Sequence, residues 1–404
     1  MTSLKLVVAE GAARCHVLRM RTPRILSVCL AVVTLGCSGG CAQATGVSSP
    51  DCRLLDDGFG PNGGTKVKAE VVVTGLEVPW GLAFLPGGDL LVTERPGRVR
   101  LVRSGSLVPT PVATVPLAPG GESGLLGIAL HPNFAANRFF LVYATVSVDG
   151  AKQNRIERWK LSDDSTRATF DGVVRGDIAA AQFHDGGRIR FGPDGMLYVG
   201  TGDAREPNRS QDQNSPNGKV LRLTPEGEVP SDNPTAGNPV FVSGLRNVQG
   251  FDWFDATTLA IADHGPSGDL GRSGHDEINV ARAGENMGWP TVYGCTRREG
   301  LVPPRLVFHD AAPPGGAAFY KGTAIPGWKD SLLVGVLGST HLQRVVFDAE
   351  RRVGSHEVYF KGTLGRIREV IMGPDGALYL TTSNCDGRGD CPPDKDRIVK
   401  IVPE

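Results

Sequence analysis

Six times along this chain, a turn of Gly, Pro, Asp or Asn runs directly into a short β-rich stretch. The copies begin at Leu85-Pro86-Gly87-Gly88 ahead of Leu90, at His131-Pro132-Asn133 ahead of Phe139, and at Gly192-Pro193-Asp194-Gly195 ahead of Leu197. They continue at Phe254-Asp255-Ala256 ahead of Thr258, at Ile325-Pro326-Gly327 ahead of Leu332, and at Gly373-Pro374-Asp375-Gly376 ahead of Leu378. Successive copies lie roughly 45–70 residues apart, about the length of a four-stranded blade with its loops. Further strand candidates follow the copies at Arg98–Val102, Arg155–Trp159, Lys219–Leu223 and Arg344–Phe347. One such unit cannot bury its apolar face alone, so the repeat predicts an all-β six-bladed β-propeller over residues 65–404. The late run Arg397–Val402 and the early run Val71–Gly75 are expected to share a blade and lock the ring, leaving few open edges.

Composition agrees with many short strands. Among 404 residues, 54 are Gly and 29 Pro, yet no low-complexity tract dominates. The 43 Lys and Arg balance the 43 Asp and Glu, so the formal net charge is zero. Without a strong positive field the chain is not expected to hold nucleic acid or an anionic membrane surface.

The N-terminus reads as a targeting segment over residues 1–37. Arg19, Arg21 and Arg24 precede the apolar run Ile25–Leu35, which is too short for a stable membrane span and suits a signal peptide. Thr34-Leu35-Gly36-Cys37 resembles the end of a bacterial lipoprotein signal, with Thr rather than Leu three residues before the cysteine. Acylation at Cys37 and ordinary secretion both export the protein to the periplasm or cell envelope, and a lipid at Cys37 would be its one membrane contact. Residues 38–64, rich in Gly, Ser and Asp, are expected to form a flexible tether. Export permits disulfides. Cys385 and Cys391 flank the tight loop Asp386-Gly387-Arg388-Gly389-Asp390 and form a natural short bridge; Cys52 with Cys295 is a second pairing, and Cys41 is left over.

Against this repetitive frame one polar stretch occurs once. Phe183-His184-Asp185-Gly186-Gly187-Arg188 precedes the third copy, and the strand of that copy, Gly192–Val199, expected as an inner strand, runs on to Asp203. Gly186 and Gly187 would let a ligand approach the backbone, and an imidazole with a pKa near neutrality suits proton abstraction, so His184 is a candidate base. Asp203 could orient it. Arg246 and Asn247 offer a cationic fork and an amide for an anionic or quinonoid ligand. Gly265 and Pro266, ahead of Asp276 and Glu277, bring backbone carbonyls into an oxygen-rich loop of the kind Ca²⁺ prefers. Arg366 and Arg368 alternate along one strand and share a face, where they could hold carboxylates. Each residue also has a plain reading, as turn, cap or solvated edge. The insertions Ala204–Gly218, Ser267–His275 and Tyr293–Val302 are polar loops on which a site could be built.

Taken in order, these pieces resemble the glucose/sorbosone dehydrogenase family of soluble PQQ-dependent aldose sugar dehydrogenases. The resemblance rests on Val78-Pro-Trp-Gly-Leu-Ala-Phe, Gly121-Glu-Ser-Gly-Leu-Leu-Gly, His184-Asp-Gly-Gly-Arg, Gly218-Lys-Val-Leu-Arg-Leu and Leu245-Arg-Asn-Val-Gln-Gly. It extends through His264-Gly-Pro, Asp276-Glu-Ile-Asn, Asn286-Met-Gly-Trp-Pro and Arg366-Ile-Arg. The resemblance implies a six-bladed propeller that oxidises a sugar to its lactone, passing a hydride to PQQ and electrons to an external acceptor. It implies His184 as general base with Asp203 behind it. It further implies Glu122, Arg246, Asn247, Arg366 and Arg368 on the cofactor, and Gly265 and Pro266 on Ca²⁺. Two departures reduce the positive charge available to a tricarboxylate: Glu122 stands where the family carries Gln, and Leu337-Gly338-Ser339-Thr340 lacks a cofactor-contacting Lys. Two other readings remain beside this one, a non-catalytic propeller that binds a carbohydrate or protein partner, and a metal-assisted lactone hydrolase.

Overall fold

The computed structural model describes residues 48–118 and 120–404. The expected signal segment, Cys37, Cys41 and the first part of the expected tether lie outside the described residues. The structure is a six-bladed propeller. Each blade is built on an antiparallel sheet of four strands, and in five of the six these four run in chain order from the central axis outward. The innermost strands are Pro79–Phe84, Leu125–Leu130, Ile189–Phe191, Val248–Asp255, Pro314–Phe319 and Ile367–Met372. They stand side by side around the axis, the last returning to the first.

The six repeated turn-and-strand units are the second strands of their blades: Leu90–Glu94, Phe139–Val148, Leu197–Gly200, Thr258–Asp263, Leu332–Val336 and Leu378–Thr382. The expectation for Gly192–Val199 is therefore corrected by one place, because Ile189–Phe191 is the strand nearest the axis and Leu197–Gly200 pairs on its outer side. The repeat is conspicuous in the second strands because they are buried on both faces between neighbouring blades. Leu91, Leu141, Val199, Ile261, Leu333 and Leu380 are all essentially inaccessible.

Ring closure follows the expected pairing. The last blade takes Ile367–Met372, Leu378–Thr382 and Asp396–Pro403 from the end of the chain and its outer strand, Val67–Leu76, from the beginning. Val71 lies opposite Val399. The closure hides strand edges and joins the two ends of the domain by main-chain hydrogen bonds.

The tether boundary needs correction. Residues 48–64 lie against the ring: Arg53–Leu55 adds in parallel to Leu306–Phe308 as a fifth strand of the fourth blade. Cys52 is disulfide-bonded to Cys295, and Gly63 donates its N–H to Val358. A Gly- and Asp-rich composition reads as a linker, but parallel edge pairing needs little side-chain burial, so composition hides it. Cys385–Cys391 is the second disulfide.

The axis is filled by charged side chains whose role sequence reading left open. Arg188 is buried with its guanidinium 4.3 Å from the Trp80 ring and paired to Glu369. Arg190 reaches the other Glu369 oxygen at 3.1 Å and donates to the carbonyls of Phe251, Ala317 and Val370. Buried charges persist only when paired and hydrogen-bonded, so this cluster joins the third blade to the backbones of the fourth, fifth and sixth across the axis.

Candidate active site

In every blade the first strand begins, and the second ends, at the same mouth of the ring, because the two are antiparallel. The candidate residues occupy those positions. Arg246, Asn247 and Arg366 immediately precede first strands, Glu122 and His184 lie in the loops that lead into them, Arg368 lies near the start of one, and Asp203, Gly265 and Pro266 follow second strands. The topology thus gathers residues from four blades around one opening.

His184 is at the centre of this group. It sits in the left-handed region at φ 66°, an uncommon conformation for a residue with a side chain. Its Nδ1 lies 2.7 Å from Asp203 Oδ1, and Asp203 Oδ2 accepts the indole N–H of Trp289 at 2.9 Å. With Nδ1 bearing the proton toward the carboxylate, Nε2 carries the lone pair. Nε2 faces the Arg246 guanidinium at 2.7 Å. His184 and Asp203 are both buried, at 7% and 0% exposure, so the pair is screened from water on all sides except the mouth.

The glycines beside His184 serve the chain's own packing. A side chain at Gly186 would lie 2.6 Å from the Gly200 carbonyl, and one at Gly202 would lie 1.9 Å from the His184 carbonyl. They let the His184 loop press on the Thr201–Asp203 segment, closing the hydrogen bond between histidine and carboxylate; this replaces the expected ligand approach. Asp185, the acid adjoining the base in sequence, turns away. It accepts from Asn154 Nδ2, the Ala181 N–H and the Ser123 hydroxyl at 3.0, 3.1 and 3.0 Å.

A cavity of about 410 Å³ opens above His184, lined by Glu122, Phe183, Arg205, Arg246, Ser267, Asp269 and Arg388 as well as His184. Arg246 donates to the His264 carbonyl at 3.2 Å and to Asp269 at 2.5 Å. The backbone N–H groups of Arg246 and Asn247 both point to Asp263, at 2.9 and 2.7 Å, and Asn247 Oδ1 accepts from Gly186 at 2.9 Å. Burial raises Asp263 to about 6 despite those two donors. Burial likewise lowers His264 to about 3, so it stands neutral, with Nε2 2.6 Å from the Pro314 carbonyl.

Glu122 accepts the His184 N–H at 3.2 Å and Arg388 at 3.0 Å. Burial opposes its ionisation, but the His264 ring, Arg388 and that N–H outweigh it and hold the carboxyl down at about 2. Arg388 comes from the Cys385–Cys391 loop and also lines a second cavity together with Leu337, Gly338, Thr340 and Arg366. It places a cation beside the segment that has no Lys. Arg366 pairs with Asp386 at 2.9 Å and donates to the Leu337 carbonyl at 3.2 Å. Arg368 lies deeper, bonded to Gln249 and 3.7 Å from Asp386. Burial lowers Arg368 to about 9, against the pull of Asp386.

The residues fit a planar, anionic, carbonyl-rich group. The guanidinium groups of Arg205, Arg246, Arg366, Arg368 and Arg388 surround the mouth, and among the described residues the buried Arg246 Nε, Arg368 Nε and Asn247 Nδ2 have no partner. For a cation the donors would be carbonyls. No group of three or more His, Cys, Asp or Glu is placed to hold a metal among the described residues. Gly265 and Pro266 are buried, and no backbone N–H among the described residues donates to either carbonyl. A side chain at Gly265 would meet the Gly274 carbonyl at 2.2 Å, so the position admits only glycine.

Sequence reading did not assign Trp289, Asp269, Asp386, Gln249 or Arg388. Trp289 and Gln249 lie inside motifs that carry the resemblance, which is their one signal. Asp269, Asp386 and Arg388 belong to loops and meet their partners only in the folded ring. Of the three polar loops, Ala204–Gly218 and Ser267–His275 reach the cavity; Tyr293–Val302 does not line it.

Known proteins share this fold. The PQQ-bound aldose sugar dehydrogenase of Streptomyces coelicolor superimposes with a TM-score of 0.75 at 36% identity, covering 84% of this chain and 99% of that one. A Thermus thermophilus oxidoreductase described as a glucose dehydrogenase gives 0.76 at 44% identity, covering 83% and 100%. The aldose sugar dehydrogenase of Escherichia coli is 32% identical over 348 residues, 80% of this chain and 91% of its own. Residues 76–390 match the Glucose / Sorbosone dehydrogenase family, and with the propeller and its histidine-centred mouth in place, the chain belongs to that family.

Proposed function

We propose that this protein is an exported PQQ- and Ca²⁺-dependent dehydrogenase that oxidises aldoses at the anomeric carbon to lactones and passes electrons to an external acceptor. The observation that carries the reading is His184, held by Asp203 through Nδ1 and presenting Nε2 to a mouth ringed by guanidinium groups. The basic segment before Ile25–Leu35 supports export.

PQQ bound in this mouth would supply the hydride acceptor, and Ca²⁺ on the Gly265 and Pro266 carbonyls would polarise it. Arg246, Asn247, Arg366 and Arg368 would hold the cofactor's carboxylates and carbonyls, with Arg388 adding charge where Glu122 removes it. The sugar's anomeric hydroxyl would replace Arg246 at His184 Nε2. His184 then takes the hydroxyl proton as the C–H hydride departs, and the Asp203 carboxylate stabilises the imidazolium that forms. Trp289 fixes the carboxylate, and burial keeps water from competing for the base.

The chain's own carboxylates favour a second reading, a propeller that binds a partner without catalysis, since Asp269 and Asp386 already occupy the arginines. Titration of PQQ into the purified protein with Ca²⁺, followed by dye-linked oxidation of aldoses, separates the two. The dehydrogenase reading expects stoichiometric PQQ binding and turnover; absence of binding overturns it and leaves the second.

A further inference from the structure

The charged groups lining the cavity over His184 divide into two layers. Arg246, in the inner layer, is buried and bonded to Asp269. At the rim, Arg388 is half exposed and paired to Glu122. Arg205 is exposed, and no carboxylate pairs with it among the described residues. The cavity therefore carries one uncommitted positive charge, and Arg205 carries it.

Arg205 is also held in place. Its guanidinium lies 5.7 Å from the centroid of the Phe183 ring, and the Arg388 guanidinium lies 5.5 Å from the same ring. Two cations sharing one aromatic ring repel one another unless an anion joins them. Its backbone is anchored by an N–H donated to Asp203 Oδ1 at 2.8 Å, the same oxygen that His184 engages. Ala204 and Arg205 both adopt left-handed conformations, at φ 51° and 63°, although neither is glycine. Backbone strain of this kind persists where surrounding structure enforces it and clusters at ligand sites.

We propose that Arg205 is a specificity determinant that binds a carboxylate carried by the sugar, so that the preferred substrates are acidic aldoses of the uronic acid class. The inference rests on the dehydrogenase reading of the same cavity. A planar guanidinium on an aromatic shelf forms a paired hydrogen bond with a planar carboxylate, and one free cation balances one monoanion. The rim position suits a substrate substituent remote from the reacting carbon, because the base lies deeper and the buried arginines lie around it.

Calorimetric titration of the full chain with methyl glucuronide and methyl glucoside tests this. Both anomeric centres are blocked, so binding is read without turnover, with and without PQQ and Ca²⁺. The uronate is expected to bind at least about tenfold tighter than the neutral glycoside, a preference that weakens with added salt. R205Q is expected to bring the two to near parity, and R205K to keep part of the difference. The side chain of Arg205 makes no hydrogen bond among the described residues, so R205Q should melt with the wild type. Equal binding of the two glycosides by the wild type overturns the proposal, as does a preference that survives in R205Q. A tenfold loss of PQQ affinity in R205Q would assign the residue to the cofactor and also overturn it. Failure of PQQ to bind at all counts against the dehydrogenase reading alone, since the cofactor-free titrations still report on Arg205.

Discussion

At the scale of single residues, the geometry assigns different tasks to the two sides of one imidazole. Asp203 fixes the Nδ1 side, and the Nε2 side is left to Arg246 or to a substrate hydroxyl. H184Q keeps the size and polarity of the side chain but removes the base. Turnover should fall by about 10²–10⁴-fold, with PQQ affinity changed little, as measured by dye reduction and cofactor titration. D203N reverses the donor sense of the Asp203 hydrogen bond and would place the imidazole proton on Nε2. It should lose turnover within the same range while its pH profile changes shape, which a purely structural role would not produce. A variant that binds PQQ and retains full turnover would remove His184 from the chemistry. Asp386 gives a complementary expectation, since it neutralises Arg366 and Arg368. D386N should tighten PQQ binding by several-fold if the two arginines hold the cofactor, and loosen it if Asp386 mainly keeps them in position. His184 and Asp203 were legible in the sequence because both flank one hairpin, and an unrepeated polar insertion stands out against a repeated strand. Asp386 and Arg388 were not, because a loop near the end of the chain reaches the mouth only once the ring has closed.

At the scale of elements, the strand Asp276–Arg282 concentrates acid where the fourth blade meets the mouth. Asp276 accepts the N–H groups of Gly265 and Ala312, at 2.9 and 2.7 Å, and so braces the Gly265–Pro266 turn. Glu277 is less well served, with Asn279 Nδ2 at 3.4 Å and the Gly294 N–H at 3.3 Å. Burial, and then the neighbouring Asp263 and Asp276, push Glu277 from 4.5 up to about 8. A protonated Glu277 could also satisfy the Asn279 amide, whose oxygen has no partner among the described residues. The folded-state pKa is raised, so this group's contribution to stability is complete below about 4.5 and is lost as pH rises through about 8. E277Q keeps the neutral form at every pH. It should melt within error of the wild type at about pH 5 and a few degrees higher at about pH 9, in thermal scans across that range. A difference that does not change with pH would show that Glu277 is already neutral or that its proton is not coupled to folding. The strands themselves were legible as elements, because alternating and continuous apolar runs survive in sequence. Their place in the blade was not, since a short first strand such as Ile189–Phe191 carries Arg190 toward the axis and lacks the apolar signature of the strand beside it.

At the scale of the whole molecule, the ring depends on how its ends are fastened. Val67–Leu76 closes the last blade, while just upstream Arg53–Leu55 lies on the edge of the fourth. With Gly63 bonded to Val358 of the fifth blade, the start of the domain contacts three separate blades. Cys52–Cys295 makes one of those attachments covalent across 243 residues of sequence, whereas Cys385–Cys391 spans 6. By loop-closure entropy the long bridge should contribute about 5 kcal/mol and the short one about 2 kcal/mol. Their consequences should also differ in kind. Replacing Cys52 and Cys295 by Ser should lower the melting temperature by roughly 5–10 °C and leave PQQ affinity unchanged, because neither cysteine lines the cavity over His184. Replacing Cys385 and Cys391 should lower it by only a few degrees, yet it frees the loop that holds Asp386 on two arginines and Arg388 on Glu122. PQQ affinity should then shift by several-fold with little global destabilisation. Thermal melts and cofactor titrations on both double variants measure the two effects separately. If the short bridge proved the larger contributor to stability, or the long one altered the cofactor, the division between ring-fastening and mouth-shaping disulfides would be wrong.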